Sequence, residues 1–196
     1  MEINLDIELS RAQTALAKWQ SVESFIKEVE GIEGLVESAL LFRKPSINFL
    51  LDALVLAELV ARRPTEQVRL ASAQEQWPDG YLGQPKRFTN VEITEVMEPG
   101  RRRGDEYRKE NQNKKPKPDR PENWRARAAQ IPQALENAIK KKIDKNYAVK
   151  PILLIYLNIG DYGLMQEETK AAIAALKKKY ADDFQEICVL WQGDLY

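Results

Sequence analysis

The chain has 196 residues, 30 Lys and Arg against 30 Asp and Glu, one cysteine and no histidine. Without histidine there is no Ser-His-Asp triad, no Cys-His dyad and no imidazole metal ligand, and Cys188 alone closes no disulfide within the chain. A single thiol suits a reducing compartment, residues 1–6 lack the basic and apolar start of a secretion signal, and the apolar stretch 49–61 falls short of the roughly 20 residues that span a bilayer, so a cytoplasmic location without a membrane partner is expected.

The zero net charge is unevenly spread. Residues 1–60 carry five bases against ten acids, whereas residues 101–120 carry nine bases against four acids. The basic block can attract phosphate, or it can simply keep a loop solvated.

In chain order, Leu9, Ala12, Leu16, Trp19, Val22 and Ile26 recur at helical steps and predict one helix over 8–29, interrupted by Gly31 and Gly34. A shorter helix is expected to about Phe42, ended by Lys44-Pro45, with Ser46 as N-cap of a largely buried helix over 47–62. The period then changes to two, and 68–75, 80–82 and 87–96 read as three strands of an antiparallel meander, separated by the turn signals at 77–80 and 83–85. Residues 111–121 read as an exposed linker. Helical signal resumes near Glu122 along Trp124, Ala128, Ile131, Leu135, Ile139 and Ile143, with Pro132 either kinking the helix or starting a second one. The unalternating apolar run 151–159 reads as a strand covered on both faces, followed by a helix over 166–180 and a strand over 186–191 as a parallel βαβ unit. Residues 1–45 are read as a helical extension packed on a core of 46–196, with a basic loop at about 99–121. No GxGxxG or GxxxxGK[ST] fingerprint is present, so no nucleotide cofactor is expected.

The order helix, three antiparallel strands, helix, strand, helix, strand carries Pro78-Asp79 at the mouth of one strand and Val91-Glu92-Ile93-Thr94 on the next. That arrangement resembles the PD-(D/E)xK phosphodiesterase superfamily and implies its restriction-endonuclease-like fold, a mixed α/β sheet. Alternation along the strand sets Asn90, Glu92 and Thr94 on one side, and an acid at the mouth of the neighbouring strand can meet Glu92 there. The resemblance implies that Asp79 and Glu92 are catalytic residues and bind Mg²⁺ or Mn²⁺. It implies Glu58, from the preceding helix, as an accessory acid and third metal ligand, and Gln74 on the first strand as a pocket residue. Thr94 stands where the family has lysine and supplies no positive charge. Lys86, Arg101, Arg102 or Arg103 is expected to stand in, and the three arginines are expected to contact nucleic-acid phosphate. Residues 103–107 are similar to the QxxxY helix of RecB-like members, with Arg in the Gln place. The implied activity is metal-dependent cleavage of nucleic acid by an endonuclease or exonuclease; the other reading is a nuclease-like fold without chemistry that binds a protein partner or regulates. Trp77 and Tyr81 can stack on a base or sugar, while Trp124 and Trp191 belong to the core.

Overall fold

The computed structural model describes residues 4–36, 48–98, 121–160 and 163–196. The chain divides into two compact units, Met1–Ile93 and Thr94–Tyr196. Its strands form a mixed six-stranded sheet in chain order, β1 to β6.

The first unit begins with α1 (Leu5–Leu16) and α2 (Val22–Glu33), two helices in place of the single helix expected over 8–29. The apolar period runs through both, but Ser21 caps α2 by accepting from the Ser24 N–H at 3.2 Å, and Gln20 exchanges backbone hydrogen bonds with Val68. The break therefore lets residues 19–21 lie along the edge of β1. Gly31 stays inside α2, and Gly34 forms its C-cap. The expectations for 37–47, including the helix to Phe42 and the Ser46 cap, lie outside the described residues.

Helix α3 (Asn48–Arg62) buries Leu50, Ala53, Leu56, Leu59 and Val60 at helical spacing. Strands β1 (Gln67–Leu70), β2 (Gly80–Gln84) and β3 (Arg87–Val96) follow as the expected antiparallel meander. Strand β1 is shorter than predicted, because Ser72 and Glu75 close a turn instead of continuing the ladder. Val68, Leu70, Leu82, Val91 and Ile93 are buried with the helices. Gly80 lies so close to α3 that a Cβ would sit 2.8 Å from Leu56 Cδ2. At the other end of β2, Gly83 has φ +127° and a Cβ there would lie 2.4 Å from the Arg87 carbonyl oxygen, so only glycine fits before the two-residue Pro85-Lys86 turn.

In the second unit, α4 (Pro121–Ala128) is followed by α5 (Ile131–Ile143), and Pro132 occupies the first turn of α5, where its missing N–H removes no helical bond. Strand β4 (Ile152–Leu157) pairs in parallel with β5 (Glu186–Trp191), with α6 (Gln166–Lys179) between them in the chain. All of Ile152, Leu153, Leu154 and Ile155 are buried, which is why this strand reads as a continuous apolar run. Leu153, Ile155, Ile187, Val189 and Trp191 share a core with Ile131, Leu135 and Ile139 of α5 and Ile173 of α6. Cys188 is buried on β5. A final short strand, β6 (Asp194–Leu195), returns against β5 through Gln192-Gly193, both at positive φ. Such a turn matches the twist of a two-residue hairpin. Among the described residues no helix is long and apolar enough to cross a membrane.

Glu136 ties α5 to α6. Its carboxylate accepts from Lys179 Nζ at 2.8 Å and Tyr180 Oη at 2.7 Å and pairs with Lys140 at 3.1 Å. Hydrogen bonds from Lys179, then Tyr180, then Lys140 hold its pKa down to about 2, below the ordinary 4.5. The unfolded chain binds this proton more tightly, so the contribution to stability is present above about pH 4.5 and is lost as pH falls to about 2. Glu136→Gln is expected to lower Tm at pH 7, with the gap to the native chain closing across that acid window in a calorimetric pH series. A gap that persists unchanged at pH 2 would contradict the assignment.

Candidate functional site

Asp79 enters β2 irregularly. Its N–H donates to the Val91 carbonyl on β3 at 3.0 Å, while its own carbonyl accepts from Ala71 N–H beyond β1 at 2.9 Å. A regular strand residue sends both groups to one neighbour, so the chain crosses from one ladder to the other at this residue. The side chain completes the step: Asp79 Oδ2 accepts from Ile93 N–H at 2.6 Å, taking the place of a ladder carbonyl. The short distance is that of a charge-assisted bond. The Trp77–Pro78 peptide that delivers Asp79 is cis.

Ile93 N–H belongs to the peptide that joins Glu92 to Ile93, so the Asp79 carboxylate lies against the backbone of the second acid. Glu92 itself is 1 % exposed. It sits between Val91 and Ile93, both buried, and alternates with them onto the side of the sheet that carries Asn90. Neither Asp79 nor Glu92 is without a partner.

The other expected members fall elsewhere. Glu58 does not join the two acids: it lies on an exposed face of α3 at 48 % exposure, paired with Arg62 one turn on. A carboxylate on an otherwise apolar helix reaches solvent there more cheaply than it desolvates in a pocket. Among the described residues no three His, Cys, Asp or Glu side chains converge as a metal-holding group. Gln74 is exposed in the turn after β1, because the strand ends at Leu70. Lys86 is exposed at the β2–β3 hairpin, six residues along the strand from Glu92 and thus about 20 Å away at the usual strand rise, too far to serve as the missing lysine. Thr94 is half-buried on β3 and is the first residue of the second unit. Arg101, Arg102 and Arg103, the basic loop and residues 103–107 lie outside the described residues.

A clamp that the sequence did not reveal occupies the same three strands. Arg69 donates to both oxygens of Glu75, each at 2.9 Å, and Glu75 also accepts from Tyr81 Oη and from Ser72 N–H, each at 2.7 Å. The Arg69 bonds, with help from the Ser72 and Tyr81 groups, hold the Glu75 carboxyl well below the usual carboxylate range. Burial and then the Glu75 carboxylate push the Tyr81 phenol up to about 12. The guanidinium lies 3.8 Å from the Tyr81 ring centroid and 5.6 Å from that of Trp19. Tyr81 therefore cannot serve as the stacking residue expected of it, since Arg69 covers its face. The exposed ring is Phe88, which meets Tyr81 edge-on at 5.3 Å and Trp19 at 6.0 Å. Trp77 is half-buried, and Trp191 is in the core of the second unit with Nε1 donating to the Ile159 carbonyl at 3.0 Å. A separate cavity of about 690 Å³ runs along α1, lined by residues that include Asp6, Arg11 and Lys18. Arg11 is already paired there with Glu8 and Glu28.

The clamp makes a stability prediction. Glu75→Gln keeps the side-chain shape and removes the charge that orients Arg69, so urea unfolding at pH 7 should show a loss of about 1.5–3 kcal/mol, as for hydrogen bonds to charged groups. Because the native carboxyl is held below its ordinary 4.5, the difference should begin to shrink only as pH falls below that value. An equal loss at pH 7 and pH 2 would assign the effect to packing alone.

No protein-family model matches the chain, and no curated protein or solved structure does.

Proposed function

We propose that the chain is a divergent restriction-endonuclease-like protein of the PD-(D/E)xK type, acting as a metal-dependent phosphodiesterase on nucleic acid. The observation that carries this reading is the meeting of two acids at one peptide: Glu92, 1 % exposed, and the Asp79 carboxylate on the N–H that follows it. An acid between two buried aliphatic residues is costly unless charge or hydrogen bonding offsets its burial, and such positions are where chemistry concentrates. The order of elements from α3 to β5 supports the same fold, with β1, β2 and β3 antiparallel and β4 and β5 parallel.

Two carboxylates suit a hard cation such as Mg²⁺ or Mn²⁺, and Asp79 and Glu92 would hold it. When bound, such an ion supplies activation of water and neutralises charge on a phosphodiester. Within the protein, Ile93 N–H fixes the rotation of the Asp79 carboxylate, and the burial of Glu92 keeps bulk water from competing for its oxygens. Thr94 in the lysine position favours the second reading, a fold without chemistry that binds a partner.

Titration calorimetry with Mn²⁺ on the native chain, Asp79→Asn and Glu92→Gln tests the proposal. Asp79→Asn retains an oxygen for Ile93 N–H, so loss of binding there is separable from loss of the strand contact. Both variants are expected to lose the heat of binding, and cleavage of a labelled oligonucleotide should fall by about a hundredfold or more, in keeping with the several kcal/mol a metal contributes. Unchanged heats in both variants would sink the metal assignment. Metal binding without cleavage over several substrates would favour the partner-binding reading.

A further inference from the structure

We propose that Phe88, buttressed by Tyr81 and Trp19, is a stacking platform for an unpaired base, and that Lys18 and Lys86 grip the adjoining phosphates, so that the first unit binds single-stranded nucleic acid. The proposal deepens the phosphodiesterase reading and rests on it for the class of ligand.

Phe88 is 49 % exposed at the start of a strand. It is also held in place. Its ring meets Tyr81 at 85° and 5.3 Å and Trp19 at 44° and 6.0 Å. Behind it, the Arg69 guanidinium lies over Tyr81 and is fixed by two bonds to Glu75, so the support cannot turn away. An aromatic face positioned before the ligand arrives loses little conformational freedom on binding.

The exposed charges next to this ring along the chain are basic. Lys86 lies in the hairpin turn before Phe88 and Lys18 precedes Trp19, and both are exposed, whereas Arg87 alternates onto the side of the sheet away from Phe88. Among the described residues no ion pair holds any of them. Of the acids beside these strands, Glu75 is neutralised by Arg69, while Glu66 accepts from the Gln84 amide and keeps its charge. A held aromatic ring next to unpaired cations is complementary to a base followed by its phosphate. Duplex offers no free base face, so the preference is for a single strand.

The test is fluorescence anisotropy with the full chain and a labelled oligothymidylate of about ten nucleotides, at low salt and in EDTA, which keeps the probe uncut and the acids out of play. Phe88→Ala should weaken binding between about fivefold and about a hundredfold, the range for loss of one stacked base, while Phe88→Trp restores it. Lys18→Gln and Lys86→Gln should each flatten the log-log salt dependence by about 0.7. Duplex of the same length should compete poorly. No binding by the native chain, or equal binding by Phe88→Ala, overturns the platform. So does a dimer in sedimentation equilibrium that Phe88→Ala dissociates, because a second copy would then be the occupant. Phe88-dependent binding in EDTA supports the platform even if Glu92→Gln leaves the Mn²⁺ heats unchanged, a result that counts against the metal centre alone.

Discussion

A backbone N–H within a ten-residue strand needs an acceptor, and at Ile93 that acceptor is a side chain. The Asp79 carboxylate fills the position just where β2 begins, so one bond starts β2 and keeps β3 in register beyond it. The same bond sets the first acid against the peptide of the second. The strand pair and the placing of the two acids thus draw on one contact, and the sheet would not need a carboxylate there if a carbonyl were in reach. Glu92, 1 % exposed, projects to the side of the sheet opposite Val91 and Ile93, which pack with the helices.

The first unit distributes its polar side chains by the same logic. On the side of the sheet away from Gly80 and Leu56, Arg69, Glu75 and Tyr81 satisfy one another across three consecutive stretches of chain. The carboxylate accepts four hydrogen bonds, which offsets its partial desolvation and leaves the guanidinium flat on an aromatic face. Glu58 takes the opposite course and reaches solvent beside Arg62. Two glutamates in one unit therefore have different fates because one lies beside strands that supply donors and the other on a helix that supplies only its own next turn.

Much of the architecture was legible where one period dominates. Helix α3 and strands β3, β4 and β5 lie close to their expected limits, because apolar spacing and flanking turn residues point the same way there. The break between α1 and α2 was hidden, since the apolar spacing continues across it and only the distant Gln20–Val68 pairing creates it. The pattern predicts a longer β1 because Ala71 and Ser72 give no turn signal as strong as Gly or Pro. The Gln192-Gly193 turn was a signal that could have announced β6. Of the site, alternation placed Glu92 beside Asn90, but the pairing of Arg69 with Glu75 and of Phe88 with Trp19 depends on register and on a loop crossing a strand edge, neither of which a linear pattern encodes.

Cys188 gives the second unit an internal clock. It is the single thiol of the chain and lies buried on β5, opposite Leu154 of β4 in the parallel ladder. A thiol reagent can reach it only when the packing over that face of β5 opens, so the speed of its alkylation reads how often such an opening occurs. Because the first unit contains no thiol, that speed reads an opening around β5 in the second unit, with no added probe.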